Sequence, residues 1–88
     1  MQDHFRRRIE VLTTRLNHLR PSIERARRSV AQLENETVPA GATALARAAR
    51  LSAARAMVAT LLERERSLLT AINALQAELT DQELTERE

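Results

Sequence analysis

An all-α fold is predicted, with two long helices running antiparallel as a coiled-coil-like hairpin. Three observations predict it. Phe5, Ile9, Leu12, Leu16, Leu19, Ile23, Ala26, Val30 and Leu33 alternate steps of 4 and 3 without a miss, which is a heptad seam. A second seam follows with the same alternation, through Leu51, Ala54, Val58, Leu61, Glu65, Leu68, Ile72, Leu75 and Leu79. Between them lies the single stretch with turn chemistry, Asn-Glu-Thr-Val-Pro-Ala-Gly-Ala, in a chain of 88 residues that has only 1 Gly and 2 Pro. Thr and Val are too scattered to write the period-2 pattern of a strand.

The first helix is expected over about residues 3–35. Asp3 is its expected N-cap, the carboxylate accepting from a free backbone N–H of the first turn. With Phe5 at heptad position d, the β-branched residues fall mostly at a and Leu mostly at d. Pro21 lacks the N–H that would bond the Asn17 carbonyl, yet it falls at f, the outermost position. One bent helix with Pro21 on its convex side is therefore expected; the alternative is a break at Leu19 or Arg20, with Pro21 restarting the helix.

The loop is expected over residues 36–42. Asn35 tolerates a left-handed helix end, Pro39 forbids continuation, and Gly41 frees the backbone. Thr43 is the expected N-cap of the second helix, which runs from about 43 to 79 or beyond. Its first half is crowded with Ala, and its second half adds Leu62 and Leu69 beside the seam. Thr80-Asp81-Gln82-Glu83 matches a capping box, so residues 80–88 either start a short helix or continue the second one as an acidic tail.

A short loop makes the helices antiparallel neighbours. Folding about residues 37–40 sets Leu33 near Leu45, Ile23 near Ala54, Leu19 near Val58, Leu12 near Glu65 and Phe5 near Ile72. The second helix then overhangs the N-terminus by roughly two turns. A lone two-helix seam is a marginal core, so a homodimer forming a four-helix bundle is expected. Leu62 and Leu69, with Leu61, Leu68 and Ile72, are its expected protein interface.

Composition narrows the function classes. With 0 Cys there is no disulfide, thiol nucleophile or thiolate metal site. All 14 basic residues are Arg, read as codon bias of a GC-rich bacterial or phage genome. The net charge of +2 is uneven, with a basic body and an acidic end after residue 66. No apolar run is long enough to span a membrane, and the Arg cluster of the first residues, without an apolar stretch or cleavage site after it, is not expected to act as a secretory signal, so a cytoplasmic setting is expected.

Glu65 stands at a core position. It reads either as a buried general acid or metal ligand, or as a register-fixing charge paired with Arg8 or Arg15. His4 and His18 share a helix face but lie ~21 Å apart, too far to chelate one ion within a chain. No catalytic triad, phosphate loop, zinc or calcium motif is present, so no enzyme activity, metal or cofactor is expected. Arg6, Arg7, Arg8, Arg20, Arg27 and Arg28 are the candidate nucleic-acid contacts. Phe5 is the only aromatic residue and lies in the seam, which leaves no stacking platform for single strands.

At the loop tip, Leu33-Glu34-Asn35 resembles the coiled-coil tip of Gre-type transcript cleavage factors. That resemblance implies a tip carboxylate pair, Glu34 and Glu36, positioning a metal in a partner's active site; it covers three residues and lacks the family's preceding glycine-aspartate element and second domain. The architecture is also similar to plasmid Rop-type RNA-binding hairpins, a likeness of fold that carries no motif. The expected function is a non-enzymatic protein–protein interaction module of adaptor, chaperone or inhibitor type. The alternative is a Rop-like nucleic-acid-binding regulator.

Overall fold

The first seam closes into one helix. The computed structural model of the chain describes residues 2–37 and 41–87. They form α1 (Gln2–Asn35, 34 residues) and α2 (Ala42–Arg87, 46 residues), packed against each other with no strand among the described residues. The hairpin is a rod of 71 × 15 × 15 Å with a radius of gyration of 20.2 Å; a compact chain of this length would have about 12 Å.

In α1 every seam residue from Phe5 to Leu33 is buried or half-buried, and Leu16 and Ile23 are 4% and 5% exposed. Pro21 sits inside the helix on its exposed side, and α1 continues through it. Asn17, whose carbonyl loses its partner, is also exposed, so water can satisfy the orphaned acceptor. Asp3 is not the cap: the helix begins at Gln2 and Asp3 lies within its first turn, where a carboxylate still favours the positive end of the dipole.

The turn differs from expectation in two ways. Asn35 ends α1 without a left-handed conformation, since no described residue other than glycine has positive φ. The Arg47 guanidinium instead donates to the Leu33 carbonyl, one of the four acceptors that an α-helix leaves free at its C-terminus. Pro39, expected to stop α1, lies outside the described residues. The cap of α2 is Gly41, not Thr43: Gly41 has φ 89°, and its carbonyl accepts from the amides of Ala44 at 3.0 Å and Leu45 at 3.3 Å. Thr43 is already helical.

In α2 the 3–4 alternation extends beyond the predicted seam, back to half-buried Ala44 and Arg47 and forward to half-buried Gln82. No new helix starts at Thr80. Its hydroxyl donates to the Gln76 carbonyl at 2.9 Å, and Thr85 does the same to Asp81 at 2.9 Å. Hydroxyls turned back onto the preceding turn cannot cap a new one, and α2 carries the acidic residues on to Arg87.

The largest correction is register. Gln2 donates to Glu86 at 2.7 Å, Arg6 pairs with Glu83 at 3.2 Å, Arg20 with Glu65 at 3.7 Å and Arg55 with Glu34 at 3.1 Å. These contacts set Leu12 level with Ile72, Leu19 with Glu65, Ile23 with Leu61 and Leu33 with Leu51, one heptad away from the expected pairing. Gln2 therefore lies level with Gln82, about one and a half turns before the end of α2, and about two turns of α2 project past the end of α1. Leu45, expected beside Leu33, is 75% exposed. The physical reason lies in α2's composition. Slipping by seven residues keeps every seam position on the seam, so the seam alone does not choose. The observed register covers Leu75 and Leu79 and leaves the Ala-rich first turns beyond the end of α1; the expected one does the reverse.

Candidate interaction surfaces

Two rows of residues spaced by seven define one flank of the hairpin. On α1 the row is Arg6, Thr13, Arg20, Arg27 and Glu34; on α2 it is Arg55, Leu62, Leu69, Gln76 and Glu83. The pairs Arg6–Glu83 and Arg55–Glu34 join the rows near both ends. Leu62 and Leu69 thus stand between two ion pairs, facing the level of Arg27 and Arg20. Leu62 is half-buried and Leu69 is 37% exposed.

The other predicted interface residues belong to the hairpin's own core. Leu61 and Ile72 are each 7% exposed and Leu68 is half-buried, so Leu61 and Ile72 offer a partner almost nothing in this hairpin. The free apolar shoulder is the Leu62 and Leu69 pair. Val11, Met57 and Leu84 are also exposed, but the heptad puts them at other positions around the rod.

Glu65 is a seam carboxylate that reaches the edge of the rod. Its side chain is 28% exposed and pairs with Arg20 at 3.7 Å, not with Arg8 or Arg15. The partner differs because the register moved Glu65 from the level of Leu12 to that of Leu19. At the tip, Glu34 is held by Arg55 while Glu36 is exposed, so the two tip acids do not form a free carboxylate pair. His4 packs edge-on to Phe5, ring centroids 5.8 Å apart. Among the described residues no three His, Asp or Glu side chains gather as metal ligands do, and no helix is long and apolar enough to cross a membrane.

The predicted arginine set divides. Arg6 and Arg20 are engaged with Glu83 and Glu65. Arg27 is exposed on the same flank, and Arg28 borders a shallow groove with Ala31, Gln32, Asn35 and Glu36. Arg7, three heptads before Arg28 in the same row, and Arg8 lie away from that flank: with His4, Val11, Leu12 and Arg15 they line a groove of about 240 Å³. A second groove of about 420 Å³ bridges the helices, lined by Arg15, Leu19, Glu63, Arg64, Ser67 and Leu68. Arg64 was not singled out by sequence, although it falls seven residues from Met57 and Ala71 on the flank opposite Leu62. Arg47 was also missed, and continuing the second seam backward by 4 from Leu51 would have found it.

No protein-family model, curated protein or solved structure matches this chain.

Proposed function

We propose that the chain is a non-enzymatic protein–protein interaction module, an adaptor, chaperone or inhibitor in type, of bacterial or phage origin and cytoplasmic. It acts as a homodimer whose two hairpins meet as a four-helix bundle. The observation that carries this reading is surface area. The hairpin exposes 6661 Å² at a mass of 9.9 kDa, whereas a compact monomer of that mass exposes about 5,200 Å². The excess of about 1,500 Å² per chain is the area that a stable dimer of obligate type removes from each subunit. Only Leu16, Ile23, Leu61 and Ile72 are buried among the described residues, and a second hairpin over the Leu62 and Leu69 shoulder adds what this narrow core lacks.

The test is light scattering at micromolar concentration. The wild-type chain runs at twice 9.9 kDa, and the Leu62→Arg/Leu69→Arg variant runs as a monomer with unchanged helicity by circular dichroism. A monomeric wild-type chain refutes the dimer and moves the shoulder to a foreign partner.

A further inference from the structure

The cross-helix ion pairs of this hairpin use one flank. Arg6, Arg20 and Glu34 belong to the α1 row that faces Leu62 and Leu69, and all three are paired across to α2. The other side of α1 is different. Positions His4, Arg7, Arg8, Val11, Arg15, His18, Ser22, Arg25 and Ser29 follow one another at helical spacing around and along that face, and none is acidic. Asp3, Glu10 and Glu24 share a separate row, seven or fourteen residues apart. Arg7, Arg8, Arg15 and Arg25 are exposed, and none has a carboxylate partner among the described residues. Arg25 is held along the face by donating to the Ser22 Oγ at 3.1 Å. From α2, Arg64 joins Arg15 in lining the bridging groove. The one acid of that groove, Glu63, is turned to Arg66 at 3.7 Å. Glu78 and Asp81 lie on this side of α2 near its end, and neither reaches an arginine.

We infer that this face, carried by Arg7, Arg8, Arg15, Arg25 and Arg64, binds the phosphodiester backbone of a nucleic-acid duplex. The inference does not rest on the dimer reading, which uses the opposite flank. Guanidinium forks match phosphate oxygens in pairs, and here they are not spent on internal carboxylates. From Arg7 to Arg25 the row runs about 27 Å along a straight helix at 1.5 Å per residue, which spans about eight base pairs of duplex. A protein partner would need an apolar anchor at the centre of the face, and the exposed large apolar side chains on this side, Val11 on α1 and Met57 on α2, stand singly toward its opposite ends. A single strand would need stacking platforms, and the one aromatic ring, Phe5, is half-buried in the seam. Backbone contacts alone carry no sequence information, so binding is independent of base sequence.

Fluorescence anisotropy with labelled 20-base-pair duplex DNA, duplex RNA and the corresponding single strands tests this at two salt concentrations. Five phosphate contacts give a slope near −4.5 in log affinity against log salt, so raising salt from 50 to 200 mM weakens duplex binding by about 500-fold. Arg7→Gln/Arg8→Gln/Arg15→Gln weakens binding at 50 mM by more than about tenfold and flattens the slope to about −2. Arg27→Gln/Arg55→Gln/Arg87→Gln has the same net charge, touches none of the groove residues, and changes affinity by less than about threefold. The DNA and RNA arms show which duplex geometry the row fits. Circular dichroism of each variant verifies that the hairpin is intact. The inference is overturned by no duplex binding at 50 mM salt, by equal losses in the two triple variants, by preference for single strands, or by equal competition from polyglutamate, which would assign the face to acidic protein.

Discussion

The register of the hairpin can be moved by a small change in apolar area. Leu75 and Leu79 are half-buried in the observed pairing and uncovered when α2 slips by one heptad. At half burial they contribute ~1–1.5 kcal/mol each. The flank pairs Arg6–Glu83 and Arg55–Glu34, both exposed, together add about 1 kcal/mol. The slip replaces Glu83 by Gln76 opposite Arg6 and Arg55 by Ala48 opposite Glu34, so it also loses those pairs. Leu75→Ala/Leu79→Ala removes the larger contribution and leaves about 1 kcal/mol, a ratio of about five to one between registers. The chain has 0 Cys, so disulfide trapping reads the register directly. Ala26→Cys with Val58→Cys reports the observed pairing, and Ala26→Cys with Leu51→Cys reports the slipped one. Seven residues displace the second pair by about 10 Å, beyond the Cα separation of about 7 Å that a disulfide tolerates. In the wild-type background only the first pair oxidises; with Leu75→Ala/Leu79→Ala the second forms as a minor product. Faster oxidation of the second pair in the wild-type background would refute the register and the reasoning built on it.

Other substitutions separate the remaining contributions. Ile23→Ala, at a position 5% exposed, lowers unfolding free energy by about 2–4 kcal/mol in urea titrations; a loss below about 1 kcal/mol would mean the seam is not the core. Pro21→Ala restores an N–H at an exposed interior position and raises stability by about 1–3 kcal/mol, read as a higher urea midpoint with unchanged slope. Gly41→Ala costs about 1 kcal/mol. The cost is conformational, because a Cβ at this φ of 89° meets nothing within 4 Å, and Gly41→Asn, which tolerates positive φ, loses less in the same titration.

Much of the fold was legible because its determinants are local and periodic. Each seam residue from Phe5 to Leu33 announces its side of the helix by its distance from the last apolar one, and the structure buries or half-buries all of them. Register was not legible from that periodicity, since a heptad pattern is unchanged by a shift of seven. Loop length pointed one way, while the leucines gathered after residue 60 pointed the other and prevailed. Glu65 was legible as a seam charge, but its partner Arg20 depended on register and so was lost with it. The cap at Gly41 was missed for another reason: Thr43 has the better capping side chain, but the chain needs a positive φ there, which glycine takes without steric cost. The basic face was partly hidden because a list of arginines does not say which are already neutralised across the hairpin.

The projection of α2 past the end of α1 has a consequence for how the molecule opens. Its first turns have no α1 beside them beyond the reach of Arg47 to Leu33; they stand on backbone hydrogen bonds and on the high helix propensity of Ala44, Ala46, Ala48 and Ala49. A segment so short would not hold as a free helix. It persists because it continues a helix already nucleated where α1 packs. Its amides are therefore released by fraying from Gly41 inward, at free energies well below that of global unfolding, while amides around Leu61 and Ile72 exchange only when the whole hairpin comes apart. Hydrogen exchange along α2 should rise in protection from the loop toward the leucines, making this one helix a graded scale of opening energies.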